Sequence, residues 1–318
     1  MNSRRWICND IWMDIFPHFD RPQLGIKLAL ISPRFDILVD KHFNGKSELT
    51  IWRSITIFED SVTKVPKLRV FGANSVPFPL PDRPLPDKIR FKDLRILYID
   101  DSVLAFLRAN QQIWDKGTNL ALKIWPYFNS DNHPIWNALA REILPIFAPN
   151  IRRLNVDSAD HLRDLLRISP TILSDLNIYS INVAADAPIG YFDGPNANSS
   201  GQKILSEWLH SPAKDGQPKR LFCCFYPSRT TQWVNSFTEK FLDATSSSAN
   251  YQIQFKTLAS IEPFEWVNER TNEKLTLTKA NEDKRDERWM MKRCPIGETA
   301  AIQWEDPNLD DSNTVEIA

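Results

Sequence analysis

The sequence predicts an α/β protein: a short helical module, then a long strand–helix body, then an antiparallel β meander. Three observations carry this. Residues 9–43 place apolar side chains at helical spacing. From residue 88 onward, short alternating strands are each followed by an amphipathic helix. Beyond residue 264, three strand-like runs are joined by turn-forming residues.

The N-terminal module takes residues 5–45. Ile11, Ile15 and Phe19 recur at helical spacing, with Trp12 and Phe16 beside them. Asn9 or Asp10 is placed to cap the first turn, because its side chain accepts an orphan backbone N–H. Pro17 should stop or kink this helix. Asp20-Arg21-Pro22 starts a second helix carrying Leu24, Leu28 and Ile31, with Pro22 in a first-turn position that tolerates it. Ser32-Pro33 breaks the chain again. A third short helix then uses Phe35, Leu38 and Val39 as its apolar side.

The body takes residues 46–300. Leu49–Phe58 is rich in β-branched residues and reads as a strand. The Pro-rich stretch 62–87 reads as an ordered extended connection, since Phe78, Leu80 and Leu85 are too apolar for a free linker. The repeating strands are Leu94–Ile99, Leu120–Trp125, Ile151–Val156, Asn177–Val183, Arg220–Phe225 and Tyr251–Phe255. Alternation is visible in Leu120, Leu122 and Ile124, and again in Tyr251, Ile253 and Phe255. The helices between them are Ser102–Trp114, His133–Phe147, Ala159–Leu166, Lys203–His210 and Thr231–Ala244, several of them after a capping residue such as Asp101 or Ser158.

Units of roughly 25–35 residues fall in the range of an irregular leucine-rich-repeat-like α/β solenoid. A doubly wound parallel sheet uses the same grammar and stays open as the alternative, although no glycine fingerprint follows any strand. Residues 184–201 read as an exposed loop. Phe264–Asn268, Glu273–Lys279 and Trp289–Arg293 form the meander, with a hairpin tip at Arg270-Thr271-Asn272 and a charged turn at 280–288. Such a meander would cover the last open edge of the repeat array. Residues 301–318 are an acidic tail.

Composition narrows the function. The 318 residues carry a formal net charge of -1, so no global basic excess advertises nucleic-acid binding. No apolar run is long enough to span a bilayer, and Asp10 and Asp14 interrupt any leader-like segment. A soluble protein of the cytoplasm or nucleus is expected, and the Asn198-Ser199-Ser200 sequon is then idle. The 4 cysteines, Cys8, Cys223, Cys224 and Cys294, form no C-x-x-C pair and no secreted framework. The 5 histidines are scattered without a metal-ligand pattern, and no phosphate loop or nucleophile elbow is present. Cys223 or Cys224 with His161 or His210 is the one thiol–imidazole combination on offer, and adjacent carboxylates occur at Asp100-Asp101, which more simply end a strand and cap a helix. No catalytic residue, cofactor or metal is expected, and the protein is not expected to be an enzyme.

Ile7-Cys8-Asn9-Asp10-Ile11-Trp12-Met13-Asp14-Ile15-Phe16 and Leu28-Ala29-Leu30-Ile31-Ser32-Pro33-Arg34-Phe35 together resemble an F-box. Ile31, Ser32 and Phe35 stand at that family's Val, Cys/Ser and aromatic signature places; Ile7 and Cys8 replace its opening Leu-Pro. The Phe78–Pro86 run, Phe264–Thr271 and the Lys292-Arg293-Cys294-Pro295-Ile296 end resemble the expanded nematode-type F-box families. The resemblance implies a substrate receptor of an SCF-type ubiquitin ligase. It would dock on a Skp-type adaptor, and through it a cullin, by Ile7, Ile11, Trp12, Ile15, Phe16, Leu28, Ile31 and Phe35. The body would hold a target protein of unknown identity, with neither nucleic acid nor membrane as partner. A scaffold that has lost the adaptor contact is the first competing expectation, motivated by Cys8, and a hydrolase or transferase built on the α/β body is the second.

Overall fold

The computed structural model describes residues 7–19, 23–44, 50–71, 76–85, 89–111, 120–124, 137–148, 151–156, 158–176, 178–186, 200–212, 216–224, 227–245, 249–257, 259–280 and 287–297. The fold is mixed α/β, as the sequence predicts.

Helix α1 spans Asn9–Ile15, and Pro17 lies in a tight 3-10 turn at Phe16–His18 that ends it. The expected cap differs. Cys8 holds the cap position without a side-chain bond, and the Asn9 carboxamide oxygen instead accepts from Arg34. The proposed start of the second helix at Asp20–Pro22 lies outside the described residues. Gln23–Leu28 makes a wide helical turn and Ala29–Ile31 a tight one. Ser32-Pro33 is not merely a break but the start of α2, Pro33–Asn44, the longest helix of the module. Pro33 loses nothing in a first turn, where its missing N–H would be unpaired anyway, and Ser32 Oγ accepts from the Phe35 N–H at 3.3 Å.

The strands are β1 Thr50–Glu59, β2 Pro66–Phe71, β3 Phe78–Pro79, β4 Ile89–Ile96, β5 Leu120–Ile124, β6 Ile151–Val156, β7 Ser180–Asp186, β8 Lys219–Cys224, β9 Tyr251–Lys256, β10 Phe264–Asn268, β11 Glu273–Lys279 and β12 Arg288–Pro295. They form one sheet in the order β10-β11-β12-β9-β8-β7-β6-β5-β4-β1-β2-β3. From β4 to β9 neighbours are parallel and consecutive in sequence. The order runs without the reversal that a doubly wound sheet requires. Each parallel neighbour pair requires a crossover connection.

The Pro-rich stretch 62–87 corrects its expectation. It contains β2, which pairs antiparallel with β1, and the short edge strand β3. Pro66 opens one strand and Pro79 sits at the sheet edge, the two strand settings that tolerate a missing N–H. The β1–β2 turn is tied by Asp60, whose carboxylate accepts from Thr63 N at 2.7 Å, Thr63 Oγ1 at 2.9 Å and Lys67 Nζ at 2.6 Å. Lys67 first, then Thr63, hold that carboxyl far below the usual carboxylate range.

The remaining helices are α3 Asp101–Ala109, α4 Leu144–Phe147 behind a wide turn at Leu139–Ile143, α5 Ala159–Ile168, α6 Ile172–Asp175, α7 Ser200–His210 and α8 Pro227–Asp243. Ser158 caps α5 as expected, its Oγ accepting from His161 N at 3.2 Å. Asp100, not Asp101, caps α3, accepting from Val103 N at 2.9 Å. The larger core joins Ile55, Leu94, Leu154, Ile181, Leu221 and Ile253 of the sheet to Phe106, Leu165, Leu209 and Phe237 of the helices. Residues 187–199, the charged turn at 281–286 and the tail from 298 lie outside the described residues.

The meander extends the sheet. β12 pairs antiparallel with β9, and β11 and β10 follow outward. The edge of β9 is therefore covered as expected, and the free edge moves to β10. Asn268 explains the run after β10: its Nδ2 donates to the Phe241 carbonyl at 2.7 Å and the Ala244 carbonyl at 3.0 Å, and its Oδ1 accepts from Arg270 N at 3.0 Å and Thr271 N at 3.3 Å. One buried carboxamide thus closes both the C-terminus of α8 and the hairpin tip.

Candidate functional site

The N-terminal module has a hydrophobic core of its own. Phe16, Leu24, Ala29, Leu38, Val39 and Phe43 are buried in it, and Trp12, Met13, Leu28 and Phe35 pack against it half-buried. Trp12 meets Phe35 edge to face at 4.9 Å and lies 6.2 Å from Phe16. Arg34 ties the start of α1 to α2: its guanidinium donates to the Asn9 Oδ1 at 2.7 and 3.0 Å and to the Ile7 carbonyl.

This geometry sorts the expected docking residues. Ile7, Ile11 and Ile31 are exposed, at 45%, 51% and 62%. Trp12, Ile15, Leu28 and Phe35 are half-buried and offer part of their surface. Phe16 is fully buried, so it is a core side chain and leaves the docking set. The helical spacing that grouped it with Trp12 could not tell the inward side of α1 from its rim. Ile37, outside the expected set, is the most exposed of these isoleucines at 69%. Its signal was present: it lies opposite Phe35, Leu38 and Val39 on α2, where the amphipathic pattern calls for a polar residue.

A second surface is built by the sheet. Side chains alternate between faces, so each strand that sends Leu or Ile to the helices sends its next residue the other way. On that other face Arg95, Asn155, Asn182 and Gln254 fall in one row across the strands, and Arg153, Ser180, Arg220, Gln252 and Lys292 in the next. Tyr179 organises two of the cations, accepting from Arg153 Nε at 3.3 Å while its ring lies 5.9 Å from the Arg220 guanidinium. Asn182 Oδ1 and Gln254 Oε1 are buried without a hydrogen-bond partner. A buried acceptor left unpaired costs about 1–3 kcal/mol unless something supplies a donor.

A third cluster is structural. Glu273 and Arg293 form a buried pair through Oε2, at 3.0 Å to Nε and 2.6 Å to Nη2. Arg293 also lies 5.3 Å from the Phe241 ring. Next to it, Lys219 is buried with its ammonium donating to the Trp208 carbonyl and Ser211 Oγ, and desolvation lowers its pKa to about 8. Burial also lowers His210, chiefly by desolvation, while its ring packs on Phe237 and Tyr251. The Glu273–Arg293 pair thus joins β11 to β12 inside the meander, and the Arg293 contact with Phe241 ties the meander to α8.

As for chemistry, Cys223 is fully buried in the larger core, where no solvent-borne substrate reaches its thiol, and the side chain of Cys224 is not among those described. Among the described residues no three His, Cys, Asp or Glu gather as a metal site, and no helix is long and apolar enough to cross a membrane. No family model, no curated protein and no solved structure matches the chain.

Proposed function

We propose that the chain is a non-catalytic substrate receptor of an SCF-type ubiquitin ligase, working in the cytoplasm or nucleus. In this reading the N-terminal module is an F-box and binds a Skp-type adaptor, which brings a cullin. The strands β4–β9 with their crossover helices are an irregular leucine-rich-repeat-like solenoid that presents a target. The receptor contributes proximity alone: it raises the effective concentration of the target at the transfer site and needs no reactive side chain of its own.

The observation that supports this reading best is the module's surface. Ile7, Ile11 and Ile31 are exposed beside a small core that is separate from that of the body. They sit at three of the positions where the F-box resemblance implies adaptor contacts. Burying an exposed isoleucine is worth about 1.5–3 kcal/mol, so a partner covering three of them gains several such increments.

The test is capture of a purified Skp-type adaptor by the whole chain, beside an Ile11→Asp, Ile31→Asp double variant. Both positions are exposed, so the variant keeps its fold. Capture by the wild type and loss in the variant is the expected result. A wild type that captures nothing at micromolar concentration overturns the ligase reading. The protein is then an interaction scaffold without ligase coupling, a reading favoured by Cys8, which stands where the F-box pattern has Pro.

A further inference from the structure

We infer that Arg34 is the positioning residue of the module's docking rim. It holds the Ile7–Ile11 side in a fixed place beside Ile31, doing by hydrogen bonds what a proline at position 8 would do by covalent constraint. This rests on the receptor reading for what the rim is used for; the positioning itself is a property of the chain alone.

The rim is made of two chain segments. Ile7 and Ile11 belong to the start of the module, and Ile31 ends the tight turn before α2. Among the described residues no backbone hydrogen bond joins the two segments. Ile7 precedes α1, so no helical hydrogen bond fixes it. Cys8 gives α1 no side-chain cap, and the first turn closes through a long bond of 3.4 Å from the Trp12 N–H to the Cys8 carbonyl. A two-turn helix with an uncapped start frays, because its first N–H groups have no partner inside the helix.

Arg34 supplies the missing tie. It is half-buried in the first turn of α2, close behind Ile31 in the chain. Nε and Nη2 both donate to Asn9 Oδ1, at 3.0 and 2.7 Å, and Nη2 donates to the Ile7 carbonyl at 2.5 Å. These acceptors bracket Cys8. A guanidinium reaches both because its donors are set in a planar fork, which an ammonium lacks. Next to Arg34, Phe35 meets Trp12 edge to face, so the junction of α1 and α2 has a polar clamp beside an aromatic contact.

The backbone of Cys8 shows what the clamp holds. It lies at φ -60° and ψ 149°, a φ inside the range that the proline ring imposes. Among the described residues its N–H donates to no backbone carbonyl, so a proline there forfeits no such bond. What is lost is the Sγ contact with Asp10 at 3.7 Å. Proline also confines the residue before it to extended backbone. Cys8→Pro therefore fixes from within the two residues that Arg34 fixes from outside. Ordering a binding segment beforehand spares that cost at the moment of binding, which raises affinity.

The experiment compares the full-length wild type with Arg34→Ala, Arg34→Lys, Cys8→Pro, and Arg34→Ala combined with Cys8→Pro. Amide exchange is read by NMR with no adaptor present. The expected result is faster exchange at Trp12 in Arg34→Ala, return toward the wild-type rate on adding Cys8→Pro, and unchanged protection at Val39 in the buried part of α2. Capture of a purified Skp-type adaptor is then titrated. Arg34→Ala should weaken it about tenfold, Arg34→Lys should weaken it although the charge is kept, and the combined variant should recover most of the loss. Cys8→Pro alone should capture at least as tightly as the wild type. Unchanged exchange at Trp12 in Arg34→Ala overturns the proposal. So does a loss of capture that Cys8→Pro fails to restore, since Arg34 would then touch the adaptor itself. A loss of capture in Cys8→Pro alone also overturns it. If Arg34→Ala costs Val39 its protection, Arg34→Lys with and without Cys8→Pro carries the same comparison. If the wild type captures no adaptor, the receptor reading falls by itself, and exchange at Trp12 still decides whether Arg34 positions this edge.

Discussion

The two hydrophobic cores of this chain are built on different scales. The body core is assembled from seven or more strands and the helices packed with them. The module core has six buried residues, and four large isoleucines, Ile7, Ile11, Ile31 and Ile37, remain outside it. Burial scales with size, so a few short helices hide a smaller fraction of their apolar surface than a long sheet does. Exposed apolar side chains occur in both regions, among them Val62, Val76, Trp266 and Val267 on the body, but on the module the four isoleucines lie beside a much smaller core.

The largest effect belongs to the body. Arg293→Ala removes the guanidinium from the Glu273 carboxylate in a site where both side chains are almost inaccessible, at 6% and 1%. Loss of one partner of a buried pair costs about 3–5 kcal/mol, whereas exchanging both for apolar residues of similar size is near neutral. Urea unfolding should therefore show a large drop for Arg293→Ala and a small change for Arg293→Met combined with Glu273→Leu. A small drop for the single variant would mean that water reaches the pair and that it does not hold β11 to β12 in the way described.

The next effect tests whether the cores are independent. Phe16→Ala removes a fully buried aromatic side chain from the module core, a change worth about 3–5 kcal/mol in a well-packed core. Amides of α1 and α2 should then exchange freely with solvent while those of β6, β7 and β8 keep their protection. Equal loss of protection in both regions would show that the two cores melt as one unit and would end the comparison drawn above.

The same contrast explains what was legible in the sequence. The body's strands and helices alternate over long, strongly periodic segments, and β10, β11 and β6 appear at the expected residues. Strand ends shifted where polar residues begin a strand: β4 starts at Ile89 rather than Leu94, because Ile89 and Phe91 pair with Thr50 and Trp52 of β1, a long-range partnership that no local pattern contains. β2 was hidden for a related reason. Its prolines read as an ordered extended connection, and only the pairing shows Pro66 and Pro79 at a strand start and a sheet edge. In the module the helices were legible but the inward side was not, because α1 has only two turns and Ile11, Trp12, Met13 and Ile15 spread apolar groups around it. That ambiguity placed Phe16 among the docking residues and left out Ile37. On the sheet, the polar alternates Ser180 and Asn182 or Gln252 and Gln254 were readable as a face, but not that Arg153 and Arg220 share one tyrosine, which depends on register.

The smallest expected effect is the sharpest test of the module's rim. Ile37→Glu changes a side chain that is 69% exposed. Exposed substitutions away from caps and special geometry stay within about 0.5 kcal/mol, so thermal unfolding should barely move. Glu also matches Ile in helix propensity or exceeds it, so α2 loses nothing locally. If Ile37 extends the rim formed by Ile7, Ile11 and Ile31, adaptor capture will weaken while stability holds, because a carboxylate desolvated at an apolar interface opposes binding. Unchanged capture would confine docking to the side of the module that carries Ile11 and Ile31. A clear loss of stability would instead place Ile37 in contact with the rest of the chain, and the separation of the two cores would have to be redrawn there.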